Sequence, residues 1–385
     1  MKKRKVYLDY AATTPVDSRV VKIMLPYFSL YYGNTMSLHS EGIKTSEAVE
    51  RARGIMAKAL NAKNEEIVFT GSATESNNLA LKGLAEANPE KKKIIISSIE
   101  HDCVRNSAIW LRAKGYKVVM LPVDKKGKID FEALKKEIDE TTLLVSIIHG
   151  SNEVGTIQNI GKIGELCRER GVYFHTDASQ SFGKVPIDVK AMKIDLLTAS
   201  SHKIYGPKGV AILYVREGVK INPIMHGGGH EGGLRSSTVN VPAIVGMGKA
   251  VEIMEKSKAE NLKIKKLRDK LIRGVLKTIP DCWLNGNEKD RLNNNANFSF
   301  ERVEGESLLM ELSNRGISVS TGSACSSNNL APSHVLLAMG LTPAQAHGSL
   351  RFSLGRGTSE ADINYVLKVL LIVVKKIRKM SPFKK

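Results

Sequence analysis

The chain has 385 residues, 42% apolar and 25% charged, which is more than one small core usually holds and makes two domains the expectation. Its longest apolar run, residues 369–374, is far too short to cross a bilayer, so no membrane association is expected. The formal net charge of +19 reflects either a nucleic-acid or acidic-protein partner or a lysine-rich soluble surface.

The basic residues are spread along the chain, densest at 2–5 and 375–379. No zinc-finger spacing or aromatic RNA-binding motif accompanies them, so no stable nucleic-acid complex is expected. The four cysteines, Cys103, Cys167, Cys282 and Cys325, form no C-x-x-C pair. Few, scattered thiols suit a reducing cytosol better than a disulfide framework. The basic start lacks the apolar stretch of a signal peptide, and a cytoplasmic location is expected.

In chain order, short β-branched runs at 66–70, 93–97, 117–121, 143–148, 172–176, 194–199 and 210–215 predict strands. They are apolar on both faces, as in a mainly parallel sheet covered by helices. Amphipathic helices fall between them, such as 130–139 and 160–170, the latter with Gly171 as C-cap. The pattern changes near 240. One long amphipathic helix, straight or bent, is expected over 246–278, strands at 297–300 and 317–320, and a last helix from about 359 to 380. The expectation is an α/β fold. A large domain over 15–245 holds a mainly parallel seven-stranded sheet, and a smaller α+β domain is built from 1–14 and 246–385.

The residues that carry chemistry cluster at the ends of these strands. Residues 70–78, Thr-Gly-Ser-Ala-Thr-Glu-Ser-Asn-Asn, join a strand to a helix. Such a turn is either an ordinary N-cap or a set of free N–H groups for a phosphate. His101 follows a strand, where it is either a loop histidine or a ligand-facing one. Asn152 and Gln180 hold similar positions. Asp177 ends the strand near 172–176, and Lys203 follows the strand near 194–199. A lysine there is costly unless its amine is neutral, paired or covalently used. A Lys able to form a Schiff base and an Asp able to hold a pyridinium charge are what pyridoxal phosphate needs.

The five-glycine loop 225–238 carries His226 and His230 but only one nearby carboxylate, Glu231. Reach toward a neighbouring site suits it better than metal binding. Cys325 lies in a Ser/Gly/Asn-rich stretch, Gly322 to Asn329, either as a displayed nucleophile or as an incidental thiol. Arg351, between alternating apolar residues, either captures a carboxylate or pairs with a neighbouring acid.

Together these residues resemble the class V aminotransferase-like pyridoxal phosphate enzymes, and more closely the cysteine desulfurases of the NifS/IscS type. The similarity runs from Tyr7-Leu8-Asp9-Tyr10-Ala11-Ala12 to Arg351-Phe352-Ser353-Leu354-Gly355-Arg356. Its most specific pieces are Ser72–Ser76, Asn152-Glu153-Val154-Gly155, Ser201-His202-Lys203 and Gly322-Ser323-Ala324-Cys325. The resemblance implies fold type I, a homodimer and pyridoxal 5'-phosphate as cofactor. By the same resemblance, Lys203 holds the cofactor and then acts as a base on the substrate α-carbon. Asp177 pairs with the ring nitrogen and His101 stacks on the ring. Ala73, Thr74, Ser200 and His202 bind the phosphate, joined by Thr238 of the partner subunit. Asn152 and Gln180 contact ring substituents, and Arg351 with Asn34 holds the carboxylate of L-cysteine. Cys325 takes the sulfur as a persulfide, leaving L-alanine.

The resemblance further implies sulfur-acceptor partners such as an iron–sulfur scaffold, with tRNA thiolation as another outlet. It implies no intrinsic metal, although Cys325 would serve as a transient iron–sulfur ligand beside a scaffold. The chain departs from the family pattern at Thr35, Ser151 and Cys103. It also ends soon after Ser381-Pro382-Phe383, without the longer tail that some IscS-type members use for scaffold binding, and the expectation is a NifS-like or minimal partner set. The rival readings are a selenocysteine lyase, an aminotransferase opposed by Cys325, and a non-catalytic sulfur-relay platform opposed by Lys203 with Cys325.

Overall fold

The computed structural model describes residues 4–321 and 331–380. The chain enters through β1 (Val6–Tyr7) and then builds seven strands of one sheet. These are β2 (Ile67–Thr70), β3 (Lys93–Ser97), β4 (Lys117–Leu121), β5 (Thr142–Ser146), β6 (Tyr173–Asp177), β7 (Leu196–Ser200) and β8 (Ala211–Val215). Their order across the sheet is β2-β8-β7-β6-β5-β3-β4. β8 runs antiparallel to both of its neighbours, and the other pairs are parallel.

Alternation along each strand splits the core into two layers. Phe69, Ile95, Val145 and Leu197 face one layer, where helices Ser40–Leu60 and Val241–Glu255 pack. Val68, Ile94, Ile96, Leu144 and Leu196 face the other, under the helices that begin at Ala73 and Asp102. Only a sheet covered on both faces needs strands this apolar. Edge strand β4 is the exception, with Lys117 and Met120 exposed.

The crossover direction reverses between β3 and β5, because β4 lies beyond β3 while β6 and β7 lie beyond β5. In such a sheet the crevice for a ligand opens at the carboxyl ends of the strands near that switch.

A smaller body follows. Strands β9 (Cys282–Asn285), β10 (Asn295–Phe300) and β12 (Ser349–Ser353) form an antiparallel sheet in the order β12-β10-β9. Helices Lys258–Thr278, Gly305–Ser313 and Glu360–Met380 close its core over Phe298, Phe300, Leu350 and Phe352. β1 pairs in parallel with β11 (Ile317–Ser318), which draws Val6 and Leu8 into this core. Strand β11 is shorter than the 317–320 expected. Beyond it, Ser320 forms only an isolated bridge to Arg351.

The single helix expected over 246–278 is two helices, Val241–Glu255 and Lys258–Thr278. Ser257 bends its hydroxyl back to the Ile253 carbonyl at 2.7 Å, offering the backbone an alternative to the next turn. The two halves also bury against different cores. Val241 through Ile253 belong to the large one, and Ile264 through Val275 to the small one. Amphipathic spacing reports that a face is buried, not what it is buried against. Among the described residues, no helix is long and apolar enough to cross a membrane.

Candidate active site

A cavity of about 800 Å³ opens at the carboxyl ends of the parallel strands. Lys203 reaches it from the short turn Ser201–Lys203 that follows β7. Its Nζ donates to the carbonyls of Ala11 at 2.6 Å and Ala12 at 2.8 Å. The amine that looked costly after a buried strand is therefore held by two acceptors of the N-terminal segment.

Asp177 ends β6 on the same cavity, 4% exposed. Its Oδ2 accepts from Asn77 Nδ2 at 2.7 Å and its Oδ1 from the Ser179 N–H at 2.8 Å. His101 caps helix Asp102–Ala113, its Nδ1 accepting the Cys103 N–H at 3.2 Å. Its ring also lines the cavity, so capping and ligand-facing roles coexist in one side chain.

The turn at 70–78 likewise does both things the sequence offered. Ser72 caps helix Ala73–Asn78, its Oγ accepting the Glu75 N–H at 3.2 Å. That leaves the N–H groups of Ala73 and Thr74, which no intrahelical carbonyl can reach, on the cavity wall. Ser200 and His202 lie on the same wall. His202 Nδ1 lies 3.1 Å from Thr13 Oγ1. Burial, with Lys203 and other lysines beside it, pulls its pKa down to about 4, so the ring is neutral near pH 7.

Gln180 lines the cavity and donates Nε2 to the Ala11 carbonyl at 2.8 Å. Asn152 lines it too, and its Oδ1 is buried without a hydrogen-bond partner among the described residues. Its backbone oxygen accepts from Arg351 Nη1 at 2.9 Å. Gly155, three residues on, has φ +77, and a Cβ there would stand 2.7 Å from Asn295 Oδ1. Only glycine fits that turn, which brings the loop against Asn295 at the start of β10.

Arg351 is 4% exposed. Its Nη2 pairs with Asp9 at 3.1 Å, while its Nε is buried with no partner among the described residues. It therefore both pairs with an acid and faces the cavity.

Asn34, expected in this cavity, lies elsewhere, and so does Thr238, which was expected to serve the partner subunit's cavity. Asn34 is exposed, and its Oδ1 accepts the N–H of Met36 at 3.0 Å. Thr238 is exposed on the loop that follows β8. Neither lines this cavity among the described residues. Cys325 lies outside the described residues, but Ala331, Pro332 and Ser333, on the far side of its segment, line the cavity.

Sequence reasoning gave no site role to four participants. Asn77, buried in the first helix after β2, orients Asp177. An asparagine inside a helix is locally unfavourable, which was its one signal. Cys103 touches both Asn77 and His101. Glu153 is buried and accepts from Ser333 Oγ at 2.5 Å, and burial pushes its carboxyl up to about 7. Glu100, also buried and near Asp177, is pushed up to about 8 by the same cause. Among the described residues, no cluster of His, Cys, Asp and Glu could hold a metal ion.

The family profile described as aminotransferase class-V matches residues 6–366. "Cysteine desulfurase IscS" of Clostridium botulinum (strain Hall) is 51% identical over 384 residues, covering 98% of this chain and 96% of that protein. A solved "NifS-like protein" superposes with a TM-score of 0.91 at 39% identity, covering 97% of this chain and all of that one. A structure described as "SspA in complex with cysteine" superposes with a TM-score of 0.82 at 40% identity, covering 91% of this chain and 99% of that one.

Proposed function

The chain belongs to the class-V aminotransferase family and, within it, to the cysteine desulfurases of the IscS/NifS type; from that premise we propose how its own residues divide the chemistry. The protein uses pyridoxal phosphate to remove sulfur from cysteine for iron–sulfur cluster assembly. The cavity suits that cofactor. Asn152 Oδ1 and Arg351 Nε are buried there without partners among the described residues, and the Ala73 and Thr74 N–H groups point to a phosphate. When bound, the cofactor supplies an electron sink for negative charge at the substrate α-carbon.

Lys203 Nζ, held by the Ala11 and Ala12 carbonyls, would leave them to hold the cofactor and would take and return the proton at the substrate α-carbon. Ala11 keeps a donor in Gln180 when the lysine departs. Asp177, fixed by Asn77 and Ser179, would hold the ring nitrogen. His101 would lie against the ring, while Asn152 and Gln180 would hold its substituents. Ser200 and neutral His202 would join the 73–74 amides at the phosphate, with Thr238 of the partner subunit completing that site. Arg351 takes the carboxylate of L-cysteine. Asn34 has no part in the cavity of its own chain.

Cys325 acts as a thiolate. It bonds to the substrate sulfur as the sulfur–Cβ bond breaks. The electron pair of that bond stays on Cβ, a proton joins it, and the products are L-alanine and a Cys325 persulfide. The large body carries the cofactor and the small body, with the N-terminal segment, carries Cys325. Sulfur-acceptor proteins such as an iron–sulfur scaffold then receive the sulfur in the cytoplasm.

The observation that carries this reading is the meeting of Lys203, Asp177 and the 331–333 flank of the Cys325 segment on one cavity. Purified protein given cysteine and a thiol reductant is expected to release alanine and sulfide in equal amounts. Lys203→Ala should lose both the yellow colour and the reaction. Cys325→Ser should stay yellow and stop. Full turnover by Cys325→Ser would show the persulfide step to be wrong.

A further inference from the structure

Cys103 lines the cavity two residues after His101. Its Sγ lies 3.0 Å from His101 Nδ1 and 3.0 Å from Asn77 Nδ2. The backbone N–H of the same cysteine reaches Nδ1 at 3.2 Å. A ring nitrogen that faces an N–H must offer a lone pair, so the proton of the neutral imidazole sits on Nε2, an assignment made from the hydrogen-bond network. The thiol hydrogen then has Nδ1 as its acceptor, and its sulfur takes one hydrogen of Asn77. The other Asn77 hydrogen goes to Asp177 Oδ2 at 2.7 Å. The amide cannot turn over without setting Oδ1 against that carboxylate. Held this way, Asn77 leaves Oδ1 buried with no partner among the described residues, a cost that both donated bonds must offset.

We propose that Cys103 is a positioning residue of the desulfuration site, joining Asp177 and Asn77 to His101 and holding the imidazole neutral with Nε2 as its protonated nitrogen. This rests on the reading that pyridoxal phosphate lies between Asp177 and His101. Groups of both signs face His101. Asp102 and Arg105 come from its own helix, Glu153 from the loop after β5, and Asp177 from β6. Lys203 follows β7, Arg351 comes from β12, and His334 from helix His334–Ala338. Against that mixed background, two donors from one residue meet Nδ1 directly and oppose its protonation. A serine at 103 offers one donor and one acceptor in the same place, whereas alanine offers neither.

The test uses holoenzyme labelled with 15N-histidine, with the His101 ring nitrogens followed by NMR across pH. Cys103→Ala should raise the protonation midpoint of His101 by about half to one unit, the worth of one hydrogen bond. The acid limb of kcat/KM for cysteine should move with it. Cys103→Ser should restore both toward wild type. Superimposable titrations for wild type and alanine variant, or a serine variant that behaves like alanine, would overturn the proposal. Wild-type holoenzyme that releases no alanine from cysteine would instead overturn the desulfurase reading and leave the NMR result to stand on its own.

Discussion

Glu153 carries the sharpest electrostatic conflict at the site. Its carboxyl is 5% exposed and accepts from Ser333 Oγ, and burial raises its pKa from 4.5 to about 7 although Arg351 opposes the shift. The folded state therefore binds a proton that the unfolded state has released. Stability declines as pH rises from 4.5 toward about 7, and the full penalty persists above that. Glu153→Gln keeps an acceptor for Ser333 and removes the charge. At about pH 8 it should be more stable than wild type by up to roughly 3 kcal/mol, with little difference at about pH 5. Thermal melts at the two pH values check this, and equal differences at both would reject it. Lys203 and Asp177 were legible as cavity residues because each is chemically out of place where it stands in the chain, whereas His101 on its own fitted an ordinary loop as well. Glu153 was not, because its partner Ser333 lies 180 positions away and no local pattern records such a contact.

At the scale of elements, legibility followed burial on two faces. All seven sheet strands were visible in the sequence because each carries a short run rich in apolar or β-branched residues, and their ends shifted by no more than two residues. The helices at 241–278 were misjudged because a buried stripe continues across a change of core. The turn at 70–78 was ambiguous because capping and phosphate binding use the same first-turn donors. Ser72 takes only the Glu75 amide. Removing it tests both uses at once. Ser72→Ala should cost about 1 kcal/mol of stability. If the cap also sets the direction of the 73–74 amides, the variant should release pyridoxal phosphate several-fold more readily than a surface control of equal stability loss. Dialysis followed by cofactor absorbance measures this. Loss of stability with unchanged retention would confine Ser72 to capping.

At the scale of the whole molecule, one stretch of the described surface is strongly apolar. Val21, Ile23, Leu25, Phe28, Leu30, Tyr32, Met36 and Leu38 are exposed within one short stretch, more than a monomer usually leaves in water. A second copy of the chain would bury it. Thr238 stands exposed outside its own cavity, on a loop tethered by Arg53, whose Nη1 meets Glu231 at 2.8 Å. A homodimer would explain both observations if the loop reaches the neighbouring phosphate site. Complementation separates that arrangement from a site built within one chain. Lys203→Ala has no working cavity but donates an intact Thr238. Thr238→Val keeps Lys203 but donates no hydroxyl. In a mixed dimer, the cavity that keeps Lys203 would receive Thr238 from the Lys203→Ala chain. Random pairing of equal amounts should therefore restore roughly a quarter of all sites to wild-type form. Cofactor retention and alanine release should exceed the mean of the two homodimers. A mixture that gives only that mean would place Thr238 outside the partner's site, and Phe28→Glu, expected to give monomers by sedimentation, would then leave cofactor affinity unchanged.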